Sequence, residues 1–239
     1  MDFSLYTKLS PQLSHNSYCC EFDSSSFIDS DFLNYQIVLP QQLQKAVVKR
    51  RAEYLAGRFC AKQVLTALNI PCFDIISGPD RAPIWPKNII GSITHTQGIA
   101  MAVACQHTDI AGIGIDIEQL MSAKQELELQ KQILHPDEYP LFRRLAGQLS
   151  HPLTVIFSAK ESIFKALYPS VKQFFGFEAA QLIAFNQQQL QFKITKTLAE
   201  QVPQDTYVTV FYQCNKSVVL TECEFTIAAQ PLKNTNVGK

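Results

Sequence analysis

Residues 89–118 constrain the fold most, because three stretches of strand length follow one another there with only short polar links. The stretches are IIGSITHT, IAMAVAC and IAGIGIDIE. Runs of this length that are rich in Ile and Val and bounded by turn residues predict β-strands. Gln97 and Gly98 separate the first two runs, which predicts a β-hairpin with its turn at that pair. The chain therefore needs at least one sheet, and other apolar elements must cover it.

Helical periodicity supplies candidates for that cover. Apolar residues recur at helical spacing over residues 41–68, and Pro71 predicts the end of that helix. A second helix is predicted over 154–168, and residues 119–152 predict one or two more with a break at HPDEYP. Three strand-like runs then close the chain, namely LQFKITKTL, TYVTVFYQC and CEFTIAA. This order predicts an α+β fold of two comparable halves, divided near residue 110.

The bulk composition excludes several classes of function. The chain has 239 residues, of which 46% are hydrophobic, and its 21 basic and 21 acidic side chains balance to zero. A neutral chain has no global field that attracts nucleic acid or an acidic membrane, so any basic site must be local. The seven cysteines have no metal-binding spacing, which predicts reduced thiols and a cytoplasmic protein. We expect neither a signal peptide nor a transmembrane segment, because no apolar run approaches the roughly 20 residues that span a bilayer.

One predicted helix carries charges in an unexpected place. It contains FSAKESIFKALYP, in which Lys160, Glu161 and Lys165 lie within or beside an apolar arc. One interpretation extends Lys160 to solvent along its apolar stem and pairs Glu161 with Lys165 on the surface. The other is a half-buried charged site, which is costly and therefore usually functional. The helix alone does not decide between them.

The strand GIGIDIE adds two acidic side chains. Alternate residues of a strand share a face, so Gly114, Asp116 and Glu118 lie together and the isoleucines lie opposite. The two carboxylates are then about 7 Å apart, and the neighbouring glycine is expected to leave room for a ligand. Two oxygen donors without Cys or His suit a hard cation such as Mg²⁺. The alternative is a half-exposed strand whose acidic residues face water.

Basic and hydroxyl side chains of the N-terminal half complete the pattern. Arg51 and Arg58 belong to a stripe beside the apolar face of their helix, where the alternative is a solvated flank. His95 precedes the predicted hairpin turn, and Thr94 adds a hydroxyl group beside it. Together with the carboxylates and the charged helix, these features predict a site for a highly phosphorylated ligand with Mg²⁺. The sequence contains no glycine-rich loop of the P-loop or Rossmann type.

Five segments, in this order, resemble surfactin-type 4′-phosphopantetheinyl transferases, and most closely their enterobactin synthase component D branch. The segments are RAEYLAGR, PIWP, GSITHT, GIGIDIE and FSAKESIFKA, which run from residue 51 to residue 166. Each segment is weak evidence by itself, whereas the ordered combination is specific. Many members have Trp where this chain has Phe157, a change that keeps an aromatic packing residue.

The resemblance implies two similar α+β halves related by pseudo-two-fold symmetry, with coenzyme A bound between them. Residues 1–110 would contact the 3′-phosphate and adenine, and residues 111–239 would bind Mg²⁺ and catalyse transfer. The serine hydroxyl of an apo acyl or peptidyl carrier protein would attack the β-phosphorus of coenzyme A. The phosphopantetheine arm would move to that serine, and adenosine 3′,5′-bisphosphate would leave. The branch implies siderophore or other non-ribosomal peptide synthesis, by an enzyme that we expect to be a monomer.

The resemblance also implies roles for individual residues. Asp116, Glu118 and Glu161 would bind Mg²⁺, and Glu161 would take the serine proton, bind the metal or do both. Lys160 and Lys165 would neutralise the phosphates and the leaving group, as catalytic and coenzyme A-binding residues. The other expected coenzyme A contacts are Arg51, Arg58, Pro83, Ile84, Trp85, Pro86, Thr94, His95 and Asp116.

The residues themselves leave two other functions open. One is a different Mg²⁺-dependent phosphotransferase or hydrolase that uses the same carboxylates. The other is a non-catalytic sensor of coenzyme A or of a nucleotide. Release of adenosine bisphosphate when a carrier protein is added separates an enzyme from a sensor, and the presence of Glu161 favours the enzyme.

Overall fold

The computed structural model describes residues 1–70, 73–107 and 109–227, which form α-helices packed on antiparallel sheets. The α-helices of these residues are α1 (Asp31–Asn34), α2 (Val48–Ala67), α3 (Ala123–Ile133), α4 (Tyr139–Ala146) and α5 (Pro152–Val171). Their strands are β1 (Phe3–Leu5), β2 (Asn16–Phe22), β3 (Ile90–Thr96), β4 (Ile99–Cys105), β5 (Ile110–Gln119), β6 (Ala180–Phe185), β7 (Gln189–Ile194), β8 (Tyr207–Cys214) and β9 (Val218–Thr226). The prediction of an α+β fold with two similar halves is confirmed.

The N-terminal half packs α2 on a sheet with the strand order β1-β2-β4-β3. Strands β3 and β4 form the predicted hairpin, and Gly98 takes a left-handed φ of 73° at its turn, where a side chain would be strained. Leu55 and Ala56 of α2 are fully buried against this sheet. The packing brings the first turn of α2 to the end of β3, where Arg50 contacts His95.

The C-terminal half packs α5 across β5 and β9 of a sheet with the order β5-β9-β8-β7-β6. The helix approaches β5 closely because Gly112 and Gly114 have no side chain. A Cβ at Gly112 would lie 1.8 Å from the carbonyl oxygen of Ala166, and one at Gly114 would lie 1.8 Å from that of Ser162. The prediction that Gly114 leaves room for a ligand is therefore wrong, since the backbone of α5 fills that space.

A shared hydrophobic core joins the halves. It contains Met101 and Val103 from β4, Ile113 and Ile115 from β5, and Leu220 from β9, each 1% exposed. At about 25 cal/mol per Å² of buried apolar surface, side chains of this size each contribute about 1.5–3 kcal/mol when fully buried. Strand β5 therefore serves the core of both halves.

Hydroxyl side chains add direct links between β3 and β5. Oγ of Ser92 accepts a hydrogen bond from the amide of Ile115 at 3.2 Å, and Oγ1 of Thr94 accepts one from the amide of Ile117 at 3.1 Å. These bonds satisfy buried amides of β5 that would otherwise be costly to leave unpaired. They also place Asp116, which lies between the two isoleucines, at the junction of the halves.

The helix predictions are right in kind but not in length. Helix α2 begins only at Val48, because Gln41–Leu43 forms a separate 3₁₀ turn. Helix α5 begins earlier than predicted, at Pro152, a residue that suits the first helical position because no amide hydrogen is needed there. Pro71 and the last two residues of the predicted strand CEFTIAA lie outside the described residues. Among the residues that are described, no helix combines the length and apolar character needed to cross a bilayer.

Candidate active site

Asp116 is the centre of a buried polar network. It is 4% exposed and lies where β5 runs between β3 and α5. Its Oδ1 accepts hydrogen bonds from Nζ of Lys165 at 2.8 Å and from Oγ1 of Thr94 at 3.1 Å. Its Oδ2 accepts one from Oγ of Ser158 at 2.8 Å. Because the donors come from both halves, the carboxylate is held in one orientation at their junction.

Glu118 and Glu161 add negative charge to the surroundings of Asp116. Burial raises the pKa of Glu118 to about 7; the charge of Asp116 and then that of Glu161 contribute to this rise, while Lys165 opposes it. Burial and the charge of Asp116 also raise the pKa of Glu161, again opposed by Lys165. Three acidic groups from two elements thus share a region in which negative charge is incompletely compensated.

These carboxylates have the chemistry that a hard divalent cation requires. They offer oxygen donors, and a cation would offset the repulsion from Asp116 that, after burial, raises the pKa of Glu118 and Glu161. In the described part of the chain, however, no three acidic, His or Cys side chains are already arranged as metal ligands. Lys165 is the cation that pairs with Asp116 in the structure, at 2.8 Å. Asp116 is therefore already paired with a cation, through its Oδ1.

Lys165 and Lys160 lie on different sides of α5, because a spacing of five residues turns them about 140° apart on a helix. Lys165 donates hydrogen bonds to the carbonyl of Ile115 at 2.9 Å and to Asp116. The interpretation that pairs Lys165 with Glu161 on the surface is therefore wrong. Lys160 is 2% exposed and forms an ion pair with Glu138 at 2.7 Å. The structure therefore does not bring Lys160 to the carboxylates, and its predicted catalytic and coenzyme A-binding roles lack geometric support.

His95 lies at the end of β3 in a cationic setting. Its Nε2 is 3.0 Å from Nη1 of Arg50, and its Nδ1 is 3.8 Å from Oε2 of Glu53. Burial, with the charges of Arg50 and Lys165, lowers the pKa of His95 to about 4. The imidazole is therefore neutral at pH 7 and accepts a hydrogen bond from Arg50. A phosphate dianion placed here would meet the guanidinium and would favour a protonated ring.

Arg51 and Arg58 differ in how they are held. Nη1 of Arg51 pairs with Oδ2 of Asp29 at 2.7 Å. Arg58 is 8% exposed, donates to Oγ of Ser77 at 3.0 Å and stacks 4.5 Å from the ring centre of Tyr54. Burial lowers the pKa of Arg58, and Nε of each arginine is buried without a partner. Within the described residues Arg58 has no acidic partner, so its charge is less compensated than that of Arg51.

A cavity of about 660 Å³ separates the loop 78–86 from α5. Pro83, Ile84 and Trp85 line it from the N-terminal half, and Phe164, Lys165, Tyr168 and Lys172 line it from the C-terminal half. The hydroxyl of Tyr168 donates to Oδ2 of Asp80 at 2.6 Å and connects the two walls. Cavities of roughly 300–1,000 Å³ are typical of small-molecule and cofactor sites. Pro86, Thr94 and His95 do not line the cavity. Pro86 follows Trp85 in the loop, and Thr94 and His95 follow the lining residues of β3 toward the end of that strand.

The sequence analysis missed several residues that the structure brings to this region. They are Arg50, Arg81, Ser158, Tyr168 and Lys172. Tyr168 and Lys172 follow Lys165 by three and seven residues, so helical spacing could have found them. Arg50 and Arg81 have no such signal, because their neighbours in the site are far away in the sequence.

Comparison with known proteins identifies the class to which this arrangement belongs. A family model of the 4′-phosphopantetheinyl transferase N-terminal domain matches residues 39–105, and one of the 4′-phosphopantetheinyl transferase superfamily matches residues 112–221. The chain belongs to this superfamily and is a 4′-phosphopantetheinyl transferase. The activity of the family is transfer of the phosphopantetheine arm of coenzyme A to a carrier protein.

Individual relatives are similar over most of the chain. Enterobactin synthase component D of Escherichia coli O157:H7 is 34% identical over 216 residues, covering 90% of this chain and 95% of the relative. The protein of that name from Salmonella typhi is 32% identical over 211 residues, covering 87% and 86%. The 4′-phosphopantetheinyl transferase Svp of Streptomyces mobaraensis is 32% identical over 162 residues, covering 66% and 65%. The resemblance and the activity predicted from the sequence are confirmed.

Proposed function

We propose that the enzyme binds coenzyme A across its two halves, with the reacting pyrophosphate beside Lys165 and Asp116. The observation that carries this assignment is that Lys165 lines the 660 Å³ cavity and also donates to Asp116 at 2.8 Å. Its ammonium can therefore reach a phosphate in the cavity by exchanging one partner. The apolar wall of Pro83, Ile84 and Trp85 suits the adenine ring, and Pro86 ends the same loop.

The 3′-phosphate is assigned to His95 and Arg50. Their side chains are 3.0 Å apart and come from β3 and α2, so both can donate to one phosphate group. Arg51 and Arg58 add positive charge along the same helix. Thr94 is given a different role, because its hydroxyl already accepts from the amide of Ile117 and donates to Asp116. It is proposed to hold Asp116 rather than to bind phosphate.

Asp116, Glu118 and Glu161 are the residues that would hold Mg²⁺. The support is that Glu118 and Glu161 lie near Asp116: burial and then the charge of Asp116 raise the pKa of both, and Lys165 only partly opposes this. When bound, the ion would supply positive charge for the pyrophosphate oxygens. Lys165, which pairs with Asp116 at 2.8 Å and lines the cavity, would add its positive charge to the same site.

Residues of the chain are assigned to the transfer of the serine proton and to stabilisation of the leaving group. The bond between the carrier serine Oγ and the β-phosphorus forms while the bond from that phosphorus to the leaving phosphate oxygen breaks. Glu161 is proposed to take the serine proton, and its raised pKa makes its carboxylate a stronger base. Lys165 stabilises the charge that develops on adenosine 3′,5′-bisphosphate. Lys160 takes no direct part in this assignment.

The relatives named enterobactin synthase component D lead us to propose a carrier domain of siderophore or other non-ribosomal peptide synthesis as the acceptor. A cytoplasmic location is proposed because the cysteines of the described residues are free thiols, as in a reducing compartment. The monomeric state stays a prediction. The boundary near residue 110 is also proposed, since β4 ends at Cys105 and β5 begins at Ile110.

A transfer assay tests the proposed function. The protein is mixed with coenzyme A, Mg²⁺ and an apo peptidyl or aryl carrier protein, and the intact mass of the carrier is measured. We expect the carrier to gain one phosphopantetheine group, with release of one adenosine bisphosphate and loss of activity when a chelator is added. Binding of coenzyme A without modification of any carrier would instead identify a sensor.

A further inference from the structure

A buried ion pair outside the reacting groups holds the back of α5. Lys160 is 2% exposed and Glu138 is 0% exposed, and Nζ of the lysine is 2.7 Å from Oε2 of the glutamate. The carboxylate also accepts hydrogen bonds from the amides of His135 and Leu182, each at 2.6 Å. Glu138 thus joins a short 3₁₀ turn, Pro136–Glu138, to β6 and to α5.

The ammonium of Lys160 has two further acceptors. It donates to the carbonyl oxygens of Ile133 at 2.9 Å and of Phe177 at 3.2 Å, so its three hydrogens all have partners. Ile133 is the last residue of α3, and Phe177 begins the turn that leads into β6. Burial of two charges is costly even when every hydrogen bond is made, and apolar residues of similar volume often stabilise a core as well or better. Stability alone therefore does not explain why the fold contains this ion pair.

The opposite side of α5 faces the carboxylates. Ser158 and Lys165 donate to Asp116, and Ser162 donates to the carbonyl of Thr221 at 3.1 Å. Lys160 lies between these residues in sequence, but its side chain projects about 160° away from that of Ser158 around the helix axis. Contacts on two opposite sides fix the rotation of a helix about its axis. Glu161, the next residue after Lys160, depends directly on that rotation for its position.

We propose that Glu138 and Lys160 are positioning residues for phosphopantetheine transfer. The pair sets the rotation of α5, and through it the positions of Glu161 and Lys165 relative to Asp116. It also ties down the end of α3, whose chain continues from the strand that carries Asp116 and Glu118. This inference rests on the proposed roles of Glu161 and Lys165, and it adds two residues that do not touch the substrate.

The first test removes both charges together, so that neither is left buried alone. The double variant Lys160→Met/Glu138→Gln is compared with the control Lys193→Met/Asp205→Asn, which removes a surface pair 3.3 Å apart in the same half. We expect kcat of the double variant to fall about tenfold or more, because misplacement by about 1 Å can cost about a hundredfold. The dissociation constant for coenzyme A should change much less than kcat, because the proposed 3′-phosphate and adenine contacts come from the other half, and the control should transfer like the parent. A folded double variant with parental kcat would overturn the proposal.

A double-mutant cycle distinguishes positioning from a general loss of structure. Glu161→Gln is combined with the charge-removing pair, and single-turnover transfer rates are measured for all four proteins. If the pair acts through Glu161, its removal should slow the Glu161→Gln background much less than it slows the parent. If removal of the pair instead slows the parent and the Glu161→Gln background by the same factor, the pair does not act through Glu161.

A conservative variant decides the matter if the double variant does not fold. Lys160→Arg keeps the charge, but its planar guanidinium cannot reproduce the three directions in which the ammonium donates. We expect a cooperative melt like that of the parent and a lower kcat, with a smaller change in coenzyme A binding than in kcat; parental kcat would overturn the proposal. Transfer by the parent is measured first. If the parent transfers nothing, the proposed function fails, whereas an active parent with equally active variants contradicts only the positioning role.

Discussion

The first prediction concerns Asp116 and Glu161, because both are assigned to the proposed Mg²⁺ site at the reacting pyrophosphate. Asp116→Asn and Glu161→Gln keep the shape of each side chain and remove its charge. Loss of the charge at the proposed metal site should reduce the transfer rate by about a thousandfold or more. Mass spectrometry of the carrier measures transfer, and circular dichroism measures the fold. Asp205→Asn is the control, since its left-handed φ of 65° is one that Asn accepts.

Activity within about tenfold of the parent in both variants would contradict the assignment of these carboxylates, because removal of a metal-centred charge has a far larger effect. Loss of activity together with loss of the folded signal would instead mark Asp116 as a structural residue. The network of Lys165, Thr94 and Ser158 around it makes that distinction necessary.

The second prediction concerns the effect of His95 on how the free energy of unfolding depends on pH. Its pKa is about 4 in the folded chain and 6.5 when unperturbed. Between these values the unfolded chain binds a proton and the folded chain does not. His95 therefore contributes stability above about pH 6.5, and this contribution is lost as the pH falls toward 4. His95→Ala should reduce the drop in the free energy of unfolding between pH 7 and pH 4.5 by about 1–2 kcal/mol.

Urea denaturation of parent and variant at several pH values measures this difference. Equal pH dependence in the two proteins would show that the folded chain does not hold His95 neutral. The bound 3′-phosphate should act in the opposite direction, because a nearby dianion favours the protonated ring.

The sequence could locate Asp116, Glu118, Glu161 and Lys165, because strand alternation and helical phase act over a few residues. It placed Lys160 within the apolar arc and Lys165 beside it, but it could not assign the two lysines different roles. Their roles depend on acceptors far away in the chain: Glu138 is 22 residues from Lys160, and Asp116 is 49 residues from Lys165. Only the tertiary packing supplies that information.

At the scale of elements, the contact between α5 and β5 sets the distance between Lys165 and Asp116. Gly114 permits that contact, and the nearest atom to an added Cβ is a backbone carbonyl oxygen at 1.8 Å. A backbone atom cannot turn aside as a side chain can. Gly114→Ala should therefore lower the free energy of unfolding by about 3 kcal/mol or more, or shift α5 away from β5.

Gly147→Ala is the matched control for this prediction. Gly147 has a φ of −76°, and an added Cβ would lie 3.4 Å from the nearest atom, the carbonyl oxygen of Arg144. Urea denaturation should find this variant within about 0.5 kcal/mol of the parent, as expected for a surface substitution. If Gly114→Ala is as stable as Gly147→Ala and equally active, the close contact between α5 and β5 is not required.

Elements with strong periodicity were predictable, and weakly patterned ones were not. The hairpin of β3 and β4, strand β5 and helix α5 follow from apolar alternation or helical spacing with clear breaks. Strand β1 contains only three residues, β6 is the run AQLIAF, which lacks alternation of apolar and polar residues, and β2 contains the unpatterned run NSYCCEF. The start of α2 was misplaced because Leu43 extends the helical spacing of apolar residues from a separate 3₁₀ turn.

At the scale of the whole molecule, the two halves supply different parts of the proposed ligand site. His95 and Arg50 belong to the N-terminal half, whereas Glu161 and Lys165 belong to the C-terminal half. The order of the elements predicted two halves divided near residue 110, and the resemblance to a known family predicted that each half binds a different part of the ligand. The hydroxyl links from Ser92 and the shared core at β5 could not be predicted, because they join segments by long-range packing.

A ligand that spans both halves should be recognised at each end separately. Charge-assisted hydrogen bonds to a phosphate contribute roughly 1.5–3 kcal/mol each. The parent should therefore use dephospho-coenzyme A, which lacks the 3′-phosphate, at least about tenfold less efficiently than coenzyme A. The comparison is made by kcat/KM with one carrier protein at fixed ionic strength.

Substitution in the N-terminal half should reduce this preference without changing the reacting groups. His95→Ala and Arg50→Ala each remove a group that distinguishes the two ligands, so each should slow coenzyme A more than dephospho-coenzyme A. Lys45→Ala is the control, because Lys45 is an exposed cation of the same half that precedes α2. Equal slowing of both ligands by His95→Ala and Arg50→Ala would place these side chains at the pyrophosphate instead. The 3′-phosphate would then have to be bound elsewhere, with Arg58 as the next candidate because it lacks an acidic partner among the described residues.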